Sequence, residues 1–434
     1  MTPVRLQEWQ TLFLPGLRLS EADRRLAGEL SAGGDGRLVV EELRDGVRFR
    51  AGSWVGVVRF EAVEVAVVPK LAGGHVGLVA MIGFAAGLEV LKRNSGLRTL
   101  EGQGFGLPDL LALLLAEACE PLVRRGLLTD YVEREGELPV VRGRLLADRQ
   151  VRERFGRVDR LLCRFDERDG DIPENRLPAA ALAACSRRVA HDDVRRRVRR
   201  LEAAFAEVCT VPASRAELGE ASIIYGRLNA HYREAHALTC LLLDGFGVRD
   251  LLAGGSVGCF AFLLDMNRLF EQFVGRLVER LPDRRRFRVR SQQSDGSIVV
   301  DADTGRPYQR VVPDLLTETR DDPVRVLALD ARYKLYDRRK LSPADVYQAF
   351  LYGQAYGGPA GTALLVHPTD GGPTVARLAV RDRRGVRVGG VTAAGVPIPQ
   401  ALAEAEAGTV GPVAALLLGE IERALAAGPG VPER

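Results

Sequence analysis

The stretch VVPDLLTETRDDPVRVLALDARYKLYDRRKLSPADVYQAFLYGQAY, Val311–Tyr356, predicts a strand, a turn, a second strand, a loop and a helix. It begins with an extended apolar run in which Asp314 directly follows a proline. A turn is predicted at 321–323, because aspartate bonds its own backbone and proline presets φ. Val324–Leu329 is a run rich in β-branched residues, typical of a strand that is buried on both faces. Asp330 follows it, so an acid stands where a hydrophobic strand reaches the surface.

Acidic and basic residues converge at the end of this predicted strand pair. Strand side chains alternate, so Asp330, Arg332 and Lys334 are expected on one face and Tyr333 on the other. Two carboxylates on neighbouring strands, Asp314 and Asp330, could hold Mg²⁺, which prefers hard oxygen ligands. A cation beside them could neutralise a phosphate or place a water. The alternative is an ordinary hairpin whose charged ends are only solvated.

Four short motifs in this part of the chain resemble the PD-(D/E)xK nuclease core and its RecB-like members. They are Pro313-Asp314, Asp330-Ala331-Arg332, Gln348 with Tyr352 on the following helix, and Glu271 on an upstream amphipathic helix. The resemblance implies that Asp314 and Asp330 bind Mg²⁺ and that Glu271 adds an outer ligand. It also implies that Gln348 and Tyr352 orient the site or contact the DNA backbone.

One residue departs from the nuclease pattern, because Arg332 stands where these enzymes usually carry lysine. Arginine keeps its proton, so it can stabilise charge but cannot act as a base. The 61 basic residues comprise four lysines and 57 arginines, a bias that accounts simply for a lysine-to-arginine replacement. Lys334 is expected about 6.6 Å further along the strand, at roughly 3.3 Å per residue. From there its side chain could reach back towards the metal.

Composition places the chain among ordinary globular proteins and excludes several kinds of site. A net charge of +4 is too small to indicate nucleic-acid binding by itself. The six cysteines contain no CxxC pair, so they predict neither zinc binding nor a disulfide framework. The sequence shows no signal peptide, no apolar run of membrane-spanning length and no GxxxxGK[ST] loop. We therefore expect a cytoplasmic protein without a membrane partner and without a P-loop of its own.

Periodicity along the chain predicts an α+β, multidomain protein with three parts. Residues 1–76 alternate as short strands, including a hairpin over Trp54–Lys70. Residues 77–254 are predicted to be mainly helical with a β-hairpin, and their clearest helix covers Leu107–Gly126. Residues 255–434 are predicted to form an α/β domain that contains the nuclease motifs.

Motifs in the middle region extend the resemblance to one family. Arg124–Tyr131, Gly136–Leu145, Phe165–Glu167 and Glu174–Leu177 are similar to the McrC family, the nuclease subunit of McrBC modified-cytosine restriction systems. The resemblance implies a Mg²⁺-dependent endonuclease that acts on methylated or otherwise modified DNA. It also implies a partner, an McrB-type AAA+ GTPase oligomer, which the chain would bind and stimulate.

Two other functions stay open from the sequence. Arg332 is compatible with a McrC-like adaptor that stimulates the GTPase without cutting DNA. A stand-alone RecB-like repair nuclease would carry the same motifs, but it would leave the middle region unexplained. For the McrC-like functions, the partner surface is expected in the N-terminal half, up to about Gly254, because the nuclease chemistry itself needs none of those residues.

Overall fold

A computed structural model describes most of the chain. It covers residues 3–32, 37–88, 105–157, 159–211, 216–246, 259–281, 287–291, 294–320, 324–336, 340–358 and 361–426. The turn predicted at 321–323 and the predicted domain boundary at 254 lie outside these residues. The chain forms two compact units, one of Met1–Glu101 with Leu263–Arg434 and one of Gly102–Phe262. The division into three domains stays a prediction.

The N-terminal part of the first unit is rich in short strands. Its elements in chain order are β1 (Pro3–Gln7), β2 (Thr11–Pro15), α1 (Glu21–Ser31), β3 (Leu38–Leu43), β4 (Gly46–Ala51), β5 (Trp54–Arg59), β6 (Glu64–Val68) and α2 (Gly74–Ala86). β5 and β6 pair antiparallel, which confirms the predicted hairpin, and β1 joins β6 in parallel. β2, β4 and β3 form a second sheet. A capping box between Ser20 and Asp23 satisfies the backbone at the start of α1.

The second unit consists of packed helices and one three-stranded sheet. Its elements are α3 (Leu107–Arg125), β7 (Asp130–Leu138), β8 (Arg144–Leu145), α4 (Ala147–Glu153), β9 (Leu161–Asp169), α5 (Pro173–Arg188), α6 (Asp192–Ala206) and α7 (Arg233–Phe246). The predicted helix at Leu107–Gly126 is confirmed, and Gly126 ends it at a positive φ that suits glycine. Apolar faces of these helices form the core, with Leu111, Leu182 and Phe205 fully buried.

The C-terminal part of the chain supplies the largest sheet. Its elements are β10 (Phe260–Asp265), α8 (Met266–Glu279), β11 (Phe287–Ser291), β12 (Asp295–Val300), β13 (Pro307–Val311), β14 (Leu315–Thr319), β15 (Val326–Ala331), α9 (Pro343–Gly357), β16 (Thr362–Pro368), β17 (Thr374–Arg381), β18 (Arg387–Val396), α10 (Ile398–Ala407) and α11 (Pro412–Ala426). The boundary between the two units falls within β10. The six strands are ordered β11-β14-β15-β16-β18-β17.

Strand direction in this sheet changes at β15. β14 runs antiparallel to β15, whereas β15, β16 and β18 run parallel to one another. The parallel step from β15 to β16 passes through α9, and that helix packs back on both strands. Its buried Ala349 and Tyr352 meet Ala328 of β15 and Ala363 of β16. Helices and mixed sheets in two units confirm the α+β, multidomain prediction.

Two helices near the C-terminus have the composition of a membrane span only when they are taken together. Among the described residues, no single helix is long and apolar enough to cross a membrane. α10 and α11 reach that length as a pair, but they are bent by 96° at the break between them.

Candidate active site

Asp314 and Asp330 lie together at one end of the β14–β15 pair. Leu315 is opposite Leu329 in the antiparallel register. Asp314 precedes Leu315 and Asp330 follows Leu329, so the two acids face each other. Asp330 is only 3% exposed. The Ala331 N–H donates to Asp314 Oδ2 at 2.7 Å, which holds the first carboxylate against the second strand. The structure therefore brings together the two residues that the sequence nominated as metal ligands.

Burial makes both of these carboxyl groups harder to ionise. Burial, reinforced by the charge of Asp330, raises the pKa of Asp314 to about 7. Burial also raises the pKa of Asp330, although the Arg332 guanidinium opposes that rise. Asp314, when protonated, donates a hydrogen bond to Asp330, so the pair can share one proton. A divalent cation would relieve the same repulsion, so the two carboxylates suit a hard metal ion.

Arg332 supplies the cation of the second motif. Its Nε lies 2.6 Å from Asp330 Oδ2. This is a charge contact rather than an aligned hydrogen bond, because the buried Nε has no hydrogen-bond partner within the described part of the chain. Burial lowers the pKa of Arg332, but the charges of Asp330 and Asp314 outweigh it, so the pKa is raised. Arg332 can stabilise negative charge beside the carboxylates, but it cannot accept a proton.

Gln348 and Tyr352 connect Arg332 to the first motif. Arg332 Nη2 donates to Gln348 Oε1 at 2.6 Å, and Gln348 Nε2 donates to the Tyr352 hydroxyl at 2.7 Å. The Tyr352 hydroxyl in turn donates to the carbonyl of Val312 at 3.1 Å. Residues four apart on a helix share a face, so α9 presents both side chains to the site. The pair therefore orients the guanidinium relative to the strand that leads to Asp314.

Glu271 lies on α8, within electrostatic range of the first ligand. Its negative charge contributes to the raised pKa of Asp314, after burial and after the charge of Asp330. The structure thus brings this third predicted acid towards the pair. No group of three or more histidine, cysteine, aspartate or glutamate side chains among the described residues is arranged as a metal site. A two-carboxylate donor set still fits Mg²⁺, which usually keeps several waters or substrate oxygens as its remaining ligands.

Lys334 does not extend the strand as the sequence predicted. β15 ends at Ala331, and the Lys334 N–H donates to the Arg332 carbonyl at 2.8 Å, a three-residue turn. The side chain turns to α9 instead, where Nζ lies 3.2 and 3.1 Å from the two carboxylate oxygens of Asp345. The prediction that Lys334 continues the strand is therefore wrong, because β15 ends at Ala331 and the chain turns at Tyr333.

Asp345 borders the candidate site, although no sequence motif pointed to it. Its carboxylate is only 6% exposed and accepts hydrogen bonds from Tyr336 and Ser342 as well as from Lys334. Burial raises the pKa of Asp345, but these hydrogen bonds outweigh it and hold the pKa below its usual range. Ser342 and Asp345 have the spacing of a helix cap, which indicates where α9 begins but not that the acid binds a neighbouring lysine.

The chain is similar to known proteins in both its sequence and its fold. The profile of the McrBC family, described as "McrBC 5-methylcytosine restriction system component", matches residues 49–368. No curated protein matches the sequence at a significant level. The fold is similar to a chain from the Thermococcus gammatolerans assembly of McrB AAA+ hexamers with bound McrC. That chain is 20% identical, with a TM-score of 0.57, over 94% of this chain and 99% of that chain.

A second similar structure is the cryo-EM McrBC complex of Thermococcus gammatolerans. The match is 22% identical with a TM-score of 0.46, and it covers 65% of this chain and 89% of that chain. The family profile spans well over half of the sequence and includes both the middle-region motifs and the carboxylate pair. The predicted McrC resemblance is confirmed, and the chain belongs to the McrBC family of 5-methylcytosine restriction system components.

Proposed function

We propose that this chain is a Mg²⁺-dependent DNA endonuclease, the McrC-like subunit of a modification-dependent restriction system. The observation that supports this function most directly is the facing pair Asp314 and Asp330, with Arg332 Nε 2.6 Å from the second acid. Buried acids with raised pKa values and an adjacent fixed cation are typical of an active site. The family match and the order of the motifs agree with that reading.

In this proposal the chemistry belongs to a small number of side chains. Asp314 and Asp330 would hold Mg²⁺, which, when bound, supplies a Lewis acid for the scissile phosphate and lowers the pKa of a water. Arg332 stays charged and stabilises negative charge that develops on the phosphate oxygens. Gln348 and Tyr352 hold the guanidinium in place. Glu271 adds negative charge behind Asp314, consistent with an outer-ligand role.

The proposed partner is an McrB-type AAA+ GTPase oligomer. The McrC chain of the Thermococcus gammatolerans assembly is bound to McrB AAA+ hexamers. By likeness, the partner of this chain would recognise methylated or otherwise modified DNA in the cytoplasm and hydrolyse GTP. The sequence of this chain contains no GxxxxGK[ST] loop, which agrees with a division of labour in which the partner binds the nucleotide.

The partner surface is proposed on the connection between β7 and β9, residues 139–160. Large apolar side chains are exposed there, at 67% for Val140, 59% for Val151 and 86% for Phe155. Exposed apolar side chains that group on one segment favour a protein-binding surface. The segment lies within the N-terminal half, where the sequence analysis expected the partner to bind.

A non-cleaving adaptor is the second candidate function. It is favoured by Arg332, whose guanidinium already neutralises Asp330 and cannot act as a base. A stand-alone RecB-like nuclease has less support, because the family match extends far upstream of the nuclease motifs.

The test is cleavage of plasmid DNA that carries 5-methylcytosine, with Mg²⁺ or EDTA, and with or without the partner and GTP. We expect cleavage only with Mg²⁺, modified DNA and the partner together. Asp314→Ala and Asp330→Ala should each abolish cleavage but leave GTPase stimulation intact. Stimulation by the wild-type chain without any cleavage would favour the adaptor. Full cleavage by both variants would remove these acids from the metal site.

A further inference from the structure

A buried carboxylate near the start of the chain contacts Tyr333, the residue that directly follows the second nuclease motif. Glu8 follows β1, is only 2% exposed and belongs to the same compact unit as the candidate active site. Its Oε2 accepts the Lys70 N–H at 2.7 Å and the Tyr333 hydroxyl at 3.1 Å. Its Oε1 is buried without a hydrogen-bond partner within the described part of the chain. Burying such a group is costly, so it needs an explanation beyond core packing.

Tyr333, the partner of Glu8, lies between Arg332 and Lys334 in the chain. Its ring is 1% exposed and lies between two aromatic side chains, 5.6 Å from Trp9 and 5.8 Å from Phe270 by ring centroids. Phe270 precedes Glu271 on α8, so the same packing reaches the helix that carries the third acid. Tyr333 is thus held from the N-terminal segment and from α8 at once.

Trp9 adds evidence that this N-terminal contact is built into the fold. Trp9 has φ of 60°, and it is the single non-glycine residue with positive φ in the described ranges. A bulky residue in this conformation costs free energy and persists only where surrounding contacts enforce it. Its N–H donates to the Gly52 carbonyl at 3.3 Å while its ring covers Tyr333. Residues 8 and 9 therefore form a strained cap over the Tyr333 ring.

We propose that Glu8 is a positioning residue of the nuclease site, which acts through Tyr333 to fix the backbone that carries Arg332 and Lys334. The first residues of the chain then belong to the catalytic unit. This inference rests on the proposed nuclease function. It deepens that function by naming a remote residue on which the geometry of the site depends.

The reason lies in where β15 ends. After Ala331 the chain leaves the sheet in a three-residue turn. Among residues 332–334, only Arg332 still bonds to the neighbouring strand, through its N–H and the Val366 carbonyl at 2.8 Å, so strand pairing fixes this segment weakly. Tyr333 is anchored within the core, while Arg332 reaches Asp330 and Lys334 reaches Asp345. Loss of the Glu8 bond would let this turn shift. Misplacement of a reacting group by about 1 Å can cost about a hundredfold in rate.

The contacts of Glu8 indicate a conservative replacement. Both hydrogen bonds are accepted by Oε2, so the single amide oxygen of glutamine can accept them. Burial raises the pKa of Glu8 to about 7, opposed by the hydrogen bonds from Lys70 and Tyr333. A neutral amide is therefore close in charge to the protonated acid, and Glu8→Gln should preserve the anchor.

The experiment compares full-length Glu8→Gln, Glu8→Ala and Tyr333→Phe in single-turnover cleavage with the partner, GTP and Mg²⁺. We expect Glu8→Ala and Tyr333→Phe to lower the maximal cleavage rate about tenfold or more, with little change in the DNA concentration at half-maximal rate. Glu8→Gln should stay near wild type. The double variant Glu8→Ala/Tyr333→Phe should be no slower than the worse single variant, because both changes remove one interaction.

Asp23→Ala is the matched control for loss of a buried carboxylate. Asp23 is 1% exposed, lies in the same N-terminal part and accepts the Glu61 N–H at 2.9 Å, far in sequence from the nuclease motifs. The Asp23→Ala substitution should lower the thermal stability but leave the maximal cleavage rate unchanged at temperatures where the chain is folded. GTPase stimulation should survive in every variant, and thermal unfolding followed by circular dichroism shows that each full-length protein is folded.

Three results would overturn the inference while leaving the nuclease proposal standing. They are wild-type cleavage by Glu8→Ala, equal losses in Glu8→Gln and Glu8→Ala, and an equal loss in Asp23→Ala. If the wild-type chain cuts no DNA, the nuclease proposal fails separately. The positioning role is then judged by Mn²⁺ affinity in calorimetry. It survives if Glu8→Ala shifts that affinity about threefold or more and Glu8→Gln does not, and it fails if all variants bind alike.

Discussion

At the scale of single residues, the site combines two carboxyl groups that resist ionisation with a guanidinium cation that keeps its proton. Asp314 and Asp330 both have raised pKa values, and Arg332 stays charged beside them. The proton shared by the acids and a bound metal therefore compete for the same oxygens. Cleavage and stability should both depend on pH through this pair.

The metal-free protein should lose stability as the pH rises from about 4 to about 7. The ordinary pKa of an aspartate is about 3.9, and burial raises that of Asp314 to about 7. Between these values the unfolded chain releases the proton while the folded chain keeps it, so rising pH favours unfolding, and the loss is complete above pH 7. In EDTA at pH 8, Asp314→Asn should therefore raise the Tm by about a few degrees, with a smaller gain at pH 5.

Thermal unfolding followed by circular dichroism measures this effect. Mg²⁺ should raise the Tm of the wild type at pH 8 and have little effect on Asp314→Asn. Glu8→Gln is a useful control, because Glu8 also has a pKa raised to about 7 by burial but lies outside the carboxylate pair. The Tm of Glu8→Gln should vary less with pH than that of the wild type, and Mg²⁺ should still raise it. A Tm of Asp314→Asn that lies below wild type at pH 8 would contradict the argument.

Arg332 and Lys334, the two cations near the carboxylate pair, should differ in importance for cleavage. Arg332 contacts Asp330 and Gln348, and its Nε also lies 3.8 Å from Asp345 Oδ1. Lys334 is paired with Asp345, and its side chain is 54% exposed. We expect Arg332→Ala to lower the single-turnover cleavage rate by about a hundredfold or more, and Lys334→Ala to lower it much less. Arg332→Lys should retain or raise activity, since lysine is the usual residue of this motif.

The reverse order would show that Lys334 serves the metal despite its contact with Asp345. A third outcome is informative as well. If the wild type does not cut and Arg332→Lys restores cleavage, the chain is an adaptor whose nuclease site is disabled by a single residue.

At the scale of elements, the connection between β7 and β9 carries the proposed partner surface. Phe155 is 86% exposed there, and burial of such a ring in a partner contributes about 2–3 kcal/mol. Phe155→Asp should therefore weaken GTPase stimulation by about thirtyfold or more. Measurement of the GTPase rate against concentration of this chain tests that expectation.

Ile224→Asp is the matched control for this prediction. Ile224 is 87% exposed and lies in the same unit, but outside the β7–β9 connection. It should stimulate the GTPase like the wild type. An equal loss of GTPase stimulation in Phe155→Asp and Ile224→Asp would show that the β7–β9 connection is not the partner surface.

At the scale of the whole molecule, the second unit is inserted between two segments of the chain that together form the first unit. Residues 1–101 and 263–434 form the first unit together, so a fragment that ends near Gly254 would contain only part of it. The second unit, Gly102–Phe262, has its own buried helical core. Expressed alone, Gly102–Phe262 should fold cooperatively and stimulate the partner GTPase without cutting DNA. Stimulation by Leu263–Arg434 instead would refute that assignment.

Several features of this protein follow from its sequence alone. Local pattern predicts the hairpin over Trp54–Lys70, the helix that begins at Leu107 and a buried strand that leads to Asp330, and all three are confirmed, the strand as Val326–Ala331. Local periodicity is enough there, because the hydrogen bonds join neighbouring residues or adjacent strands. The McrC resemblance was also visible, since its motifs are short and ordered along the chain.

Tertiary structure alone decided which side chains surround the carboxylate pair. The Lys334 ammonium contacts the Asp345 carboxylate because the chain turns after Arg332. No periodicity in the sequence marks that turn. Glu8 contacts Tyr333 across 325 residues, and an isolated glutamate beside a strand has no local pattern that names such a partner. The sequence determined which residues could do the chemistry. The folded core, by placing distant groups within hydrogen-bonding distance, decided which of them hold one another in position.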